Sequence, residues 1–194
     1  MVITDLDGTL FQRRSPPPAA GRTLSPRNLR TLEELGRRGM LRVIATGRNL
    51  FSARKALPPD FPVDYVLFSS GAGIMDWPAQ RLLRAVSMRP EEVARAFRAL
   101  RARGLDFMVH RPIPENHHFH FYPAGRENPD FEARKAVYAA FAAPGDPEDP
   151  PSEACQLLAV EPPDHRPSAY EALRAELAGL TVLRSTSPLD GRSC

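Results

Sequence analysis

Three short apolar segments in the first third of the chain each run into a polar or glycine-rich turn, and helical patterns separate them. Val2-Ile3-Thr4 leads into Asp5-Leu6-Asp7-Gly8-Thr9, Leu41-Arg42-Val43-Ile44-Ala45 ends at Thr46-Gly47-Arg48, and Tyr65-Val66-Leu67-Phe68 opens onto Ser69-Ser70-Gly71-Ala72-Gly73. After a polar loop containing Ser15-Pro16-Pro17-Pro18, Ser25 and Pro26 supply an N-cap and a first-turn proline. Leu29, Leu32 and Leu35 fall at helical spacing and Gly39 ends the run, which predicts a helix over 26–38. A second, shorter helix over 49–57 stops before Pro58-Pro59. Strands alternating with helices require right-handed crossovers and a parallel, doubly wound sheet of the α/β class. Ligands of such sheets bind at the carboxyl ends of the strands, where all three turns fall.

The pattern changes after a hairpin-like segment around 74–86. Pro90 to Arg103 is an amphipathic helix with Val93, Phe97 and Leu100 on one face and Gly104 as its stop. Strands are predicted near 105–110 and 117–122, and a helix over 129–142. The run Pro144-Gly145-Asp146-Pro147-Glu148-Asp149-Pro150-Pro151 cannot hold regular structure. A strand at Gln156 to Glu161, a helix over 167–178 and a strand at Thr181 to Ser185 follow. This half reads as a separate α+β layer, giving an expected division into residues 1–84 and 85–194. A length of 194 residues suits one ordinary domain or two small ones.

Composition narrows the class further. With 42% hydrophobic and 25% charged residues the chain is globular rather than disordered. No apolar run approaches the roughly 18 residues of a membrane span, and Asp5 interrupts any leader-like stretch, so no membrane association and a cytoplasmic location are expected. Cys155 and Cys194 lie far apart and form no CxxC pair, so they read as ordinary thiols. The net charge of +3 arises from 24 Arg and 2 Lys against 23 acids, and the basic residues are scattered, which argues against a nucleic-acid surface.

Asp5 and Asp7 sit two residues apart at the end of a strand, so alternation places both on one side of the sheet, and Gly8 lets the backbone turn toward a ligand. Such a pair can hold Mg²⁺ through oxygens, with one Asp attacking a phosphoryl group while the other handles the proton. The alternative is an Asp-Gly turn that closes a strand with solvated acids.

Ile3-Thr4-Asp5-Leu6-Asp7-Gly8-Thr9-Leu10 resembles the first motif of the haloacid dehalogenase superfamily of phosphatases, and Thr46 in Ile44-Ala45-Thr46-Gly47-Arg48 resembles the second. The spacing from Leu24-Ser25-Pro26 to Thr46-Gly47-Arg48, together with Gly71-Ala72 and the α/β insertion that follows, is similar to the Cof-type branch, which includes many sugar-phosphate phosphatases. The resemblance implies a Rossmann-like core with an inserted α+β cap domain. It also implies Mg²⁺-dependent hydrolysis of a small phosphorylated metabolite, with a sugar phosphate as the expected class, through an aspartyl-phosphate. Asp5 would be the nucleophile and Asp7 the acid and base; the metal would rest on Asp5 and Asp7, through the backbone carbonyl of the latter. Leu6, Thr46, Gly47, Arg48 and Gly71 would bind the phosphoryl group or substrate, with Ser70 beside them.

The family also carries, after the cap, a phosphate-neutralising Lys and an acidic GDxxxD strand end. Lys55 and Lys135 fall before that point, and Asp190 in Leu189-Asp190-Gly191-Arg192 reads as a turn. The expectation is a chain lacking the C-terminal part of the core, with one sheet edge uncovered and its activity in question. A non-catalytic phosphate-ligand binder and a phosphomutase are the alternative functions. In the cap, Asn116-His117-His118-Phe119-His120-Phe121-Tyr122 predicts a strand with His118, His120 and Tyr122 on one face and His117, Phe119 and Phe121 on the other. Phe119 and Phe121 would pack on helices and the histidine side would be wet; a substrate-facing role and an HxH metal pair are the other readings.

Overall fold

A computed structural model describes residues 1–11, 24–162 and 167–185. The expected Ser15–Pro18 loop, Asp190 and Cys194 lie outside these residues. The chain divides into two compact units, Met1–Val86 and Ser87–Cys194.

The first unit is a five-stranded sheet with the spatial order β1 (Val2–Asp5), β2 (Arg42–Ala45), β3 (Tyr65–Phe68), β4 (Gly73–Asp76), β5 (Arg81–Ala85). The first three strands are parallel and the last two form an antiparallel hairpin, so the sheet is mixed rather than purely parallel. Helix α1 (Pro26–Arg37) joins β1 to β2, and α2 (Leu50–Ala56) joins β2 to β3. Local chemistry starts both helices where the sequence marks them. Ser25 Oγ accepts from Asn28 N–H at 3.1 Å, with Pro26 in the first turn. Asn49 Oδ1 accepts from Ser52 N–H at 2.8 Å. Gly39 takes φ +69° just past α1, a conformation that strains any residue with a Cβ.

Leu6, Ile44, Val66, Phe68 and Trp77 are essentially inaccessible and form the core of this unit. Trp77 buries its ring and satisfies its indole N–H on Pro58 O at 3.0 Å. The starts of β2 and β3 are stapled by Arg42 and Asp64. Two guanidinium bonds at 3.1 and 2.8 Å and the Arg42 N–H at 2.6 Å all end on one carboxylate. Those bonds hold the Asp64 carboxyl below its ordinary range. β1 is an edge strand among the described residues rather than a fully buried one. It has one partner only, and its residues alternate between half-buried and exposed, with Ile3 54% exposed.

The second unit opens with α3 (Pro90–Ala102) and builds a four-stranded sheet from β6 (Asp106–His110), β7 (Phe119–Tyr122), β8 (Ala142–Pro144) and β9 (Gln156–Val160), in the order β8-β7-β6-β9. Helices α4 (Pro129–Val137) and α5 (Tyr170–Glu176) complete it. β6 is buried along its whole length because both sheet faces are covered. On one face Phe97 meets Phe107 and Tyr122 edge-on at 5.1 and 4.8 Å, with Leu173 of α5 and its C-cap Leu177 in the same cluster. On the other, Met108, Phe119, Phe131 and Val160 form the core. Beneath α4, Asp106 accepts from Ala124 N–H and from Asn128 Nδ2, which also reaches Val160 O. The α4 cap residue is thereby tied to two strands.

Three expectations need correction here. The helix predicted over 129–142 ends at Val137; Ala139–Phe141 make a 3₁₀ turn and Ala142–Pro144 become β8, because their backbone completes the free side of β7. The strand predicted at Thr181 to Ser185 is irregular. Among the described residues no strand pairs with it, and its apolar pattern is met by packing: Val182 lies against the core while Leu183 is exposed. The histidines do not follow strand alternation through His117 and His118, since β7 begins only at Phe119. His117 and His118 instead pack against each other at a tilt and meet Phe141 edge-on, with ring centroids 4.4 to 5.0 Å apart. Phe119 and Phe121 do pack on the α4 side, but the opposite face is closed at Tyr122 rather than wet.

Candidate active site

In-register pairing of β1, β2 and β3 brings three turns to one edge of the sheet. Asp5 pairs with Ala45 and Ala45 with Leu67, so the residues that follow each strand emerge side by side. The turn after β1 is short: Gly8 takes φ +90°, its N–H donates to Phe11 O at 2.8 Å, and Phe11 N–H returns to Leu6 O at 2.9 Å. Asn28 of α1 braces it through Leu10 O at 3.0 Å. Leu6 is buried completely and anchors the turn in the core. Its N–H donates to Asp5 Oδ1 at 2.7 Å, which orients that carboxylate while leaving it exposed.

The turn after β2 carries Thr46, Gly47 and Arg48. Thr46 is buried, its N–H is held by Leu67 O at 2.9 Å, and its hydroxyl accepts from Arg48 N–H at 3.2 Å. The Arg48 side chain crosses to the first turn. Nε meets Asp7 Oδ2 and Nη2 meets Asp7 Oδ1, both at 2.8 Å, while Nη1 lies 3.3 Å from Ser52 O and 3.4 Å from its hydroxyl. Asp7 and Arg48 keep only about a quarter and a fifth of their side-chain surface exposed, so this is a half-buried, two-pronged ion pair rather than a surface contact.

The turn after β3 is bent into an unusual backbone. Ser69, Ser70 and Gly71 have φ of 51°, 53° and 95° in succession. Two non-glycine residues in the left-handed region store strain of order 1–3 kcal/mol each. The strain is held by bonds to the neighbouring turn, Ser69 N–H to Arg48 O at 2.7 Å and Ser70 N–H to Thr46 O at 3.2 Å. Ser70 Oγ consequently stands against Gly47, 3.7 Å from where a Cβ on that glycine would lie.

Asp5, Asp7, Thr46, Gly47, Arg48, Ser70 and Gly71 are therefore gathered at one set of strand ends, within the first unit. Leu6 supports them from the core. Sequence reading missed two supporting residues. Ser52 lies in the first turn of α2, just after the Arg48 turn, and Ser69 carried no signal beyond lying in a small-residue turn. Two surface hollows, of about 300 and 480 Å³, lie on α3 and along α1 and include none of these residues. Among the described residues no three His, Cys, Asp or Glu side chains converge as a metal site, and no helix is long and apolar enough to cross a membrane.

A sequence model of the haloacid dehalogenase-like hydrolases matches residues 2–187, nearly the whole chain. The chain belongs to this hydrolase family. Solved structures with the same fold include a phosphatase of the haloalkanoate dehalogenase superfamily from Bacteroides thetaiotaomicron, with 20% identity and a TM-score of 0.54 over 74% of this chain and 48% of that one. A protein from Thermotoga maritima aligns at 17% identity and a TM-score of 0.61 over 95% of this chain and 64% of that one. The haloacid dehalogenase-like chain spans about half the length of the first solved structures that it matches. No curated protein gives a significant match.

Proposed function

We propose that this haloacid dehalogenase-like protein binds a small phosphate monoester at the three strand ends and hydrolyses it through Asp5. The carrying observation is the convergence of Asp5, Asp7, Thr46 and Gly47 at the ends of adjacent parallel strands. An Asp5 oxygen attacks phosphorus and forms an aspartyl-phosphate as the bond to the substrate alcohol breaks. Asp7, entering this step as the carboxylic acid released from Arg48, gives that alkoxide a proton; as the carboxylate it then takes one from a water that attacks the same phosphorus, which breaks the bond to Asp5 and restores its carboxylate. Thr46 O–H and the Gly47 N–H are the donors proposed for the phosphoryl oxygens.

Asp5 suits Mg²⁺, which is commonly held by one or two carboxylates with the substrate phosphate completing the shell. One of its oxygens is turned by Leu6 N–H and the carboxylate is exposed. The Asp7 carboxylate suits it less, since both oxygens receive Arg48. That leaves the Asp7 backbone carbonyl as the second donor, the one the family resemblance assigns. Bound there, the ion supplies positive charge that offsets the repulsion between Asp5 and the phosphate. The likeness of the chain to Cof-type sequences supports a sugar phosphate as substrate. A second reading, phosphate binding without turnover, is favoured by the same Arg48–Asp7 pair, which engages the proton-transfer group.

Turnover of p-nitrophenyl phosphate and a panel of sugar phosphates, with and without Mg²⁺, tests the proposal. Mg²⁺-dependent turnover that falls by about 10³-fold or more in Asp5→Asn is expected. An unchanged rate in that variant removes the mechanism, and phosphate binding without turnover selects the second reading.

A further inference from the structure

Guanidinium groups recognise carboxylates and phosphates with the same geometry, a planar fork of two parallel N–H donors. In Arg48 the fork formed by Nε and Nη2 is closed on Asp7, with both bonds at 2.8 Å. The third nitrogen, Nη1, is directed to Ser52. The backbone of Arg48 is fixed at both ends, its N–H on the Thr46 hydroxyl and its carbonyl under Ser69 N–H. The side chain thus pivots from a rigid turn beside Thr46 and Gly47, the residues assigned above to the phosphoryl group. A phosphate seated there can use the two-pronged edge of Arg48 only by displacing Asp7 from it.

We infer that Arg48 is an exchangeable clamp, for which the Asp7 carboxylate and the phosphoryl group of the ligand compete. Binding of a phosphate monoester draws the fork onto phosphoryl oxygens and frees Asp7 to turn toward the leaving group or water. A ligand without a phosphoryl group leaves Asp7 gripped. The clamp makes presentation of the proton-transfer group depend on the ligand, and it rests on the reading of these strand ends as a phosphate seat. Ser52 acts in it as a pivot, holding Nη1 while the fork changes partner.

The test is a double-mutant cycle on inorganic phosphate affinity, measured by calorimetry on the 194-residue chain, with Asp7→Asn, Arg48→Gln and the double variant. Removing a negative charge near an anion tightens binding with or without Arg48, so the Arg48→Gln background supplies that baseline. Competition requires more. Asp7→Asn is expected to tighten phosphate about tenfold when Arg48 is present and about threefold or less when it is absent. Arg48→Lys, which keeps the charge and loses the fork, should lose the excess. Equal tightening in the two backgrounds overturns the clamp and leaves the phosphate seat intact. Failure of the unmodified chain to bind phosphate removes the seat and the clamp together. Should Asp7→Asn not fold, the Arg48 Nε–H resonance of the unmodified chain decides: a saturable shift with phosphate supports exchange, and an unmoved resonance during saturable binding overturns it.

Discussion

His110 is the residue whose surroundings depart most from what its side chain prefers. It lies in the centre of the second unit, its Nδ1 bonded to Asn116 O at 2.9 Å and its ring 5.0 Å from Phe119. Burial, reinforced weakly by Arg134, lowers its pKa to about 4 against the backbone bond that favours the cation. The folded chain keeps the ring neutral where the unfolded chain takes up a proton. Stability is therefore flat above about pH 6.5, falls between there and pH 4, and is flat again below. At pH 5 the loss from this group is about 2 kcal/mol. Denaturant unfolding of the second unit at pH 7 and pH 5 checks this, with His110→Gln expected to remove most of the slope between the two. Asp5, in contrast, stays exposed at the end of β1, beside a turn that Leu6 pins, so its position is set by the backbone rather than by burial.

Among the elements, the β3 turn shows how packing shapes a site. Gly73, the first residue of β4, lies against Phe68: a Cβ there would fall 2.1 Å from the ring, and Phe68 is fully buried. Gly73→Ala must push Phe68, the residue just before the strained Ser69–Gly71 turn. A loss of about 1–3 kcal/mol is expected from overpacking, together with weakened phosphate affinity as the turn shifts; thermal unfolding and phosphate titration measure the two. The positions of these elements were largely legible. Short apolar runs, the Ser25-Pro26 start and the glycines at 8, 39 and 71 carry local signals, and local signals were enough to place all three strand-end turns. What could not be read depends on partners distant in sequence. Residues 142–144 became a strand because β7 offered a free edge, whereas among the described residues no strand pairs with 181–185. Arg48 and Asp7 are 41 residues apart, so no spacing rule announces their ion pair.

Each unit buries hydrophobic residues of its own, and each should report its own damage. Gly145 supplies a test in the second unit, since a Cβ on it would lie 2.1 Å from Tyr122 Cζ within the Phe97–Phe107–Tyr122 cluster. Gly145→Ala is expected to destabilise that unit by about 1–3 kcal/mol. Amide exchange should quicken in β6 and β7 and stay unchanged in β2 and β3; faster exchange in both sets would show that the units unfold as one. The first unit has an unevenness of its own. Its innermost strands are bonded on two sides, whereas β1, which ends in Asp5, is bonded only to β2 among the described residues. Fraying takes least work along a strand laced by a single row of bonds. The proposed attacking group therefore rides on one of the two singly laced strands of the sheet, and anything that bonds along its other side would sharpen the aim of Asp5 without touching the ligand.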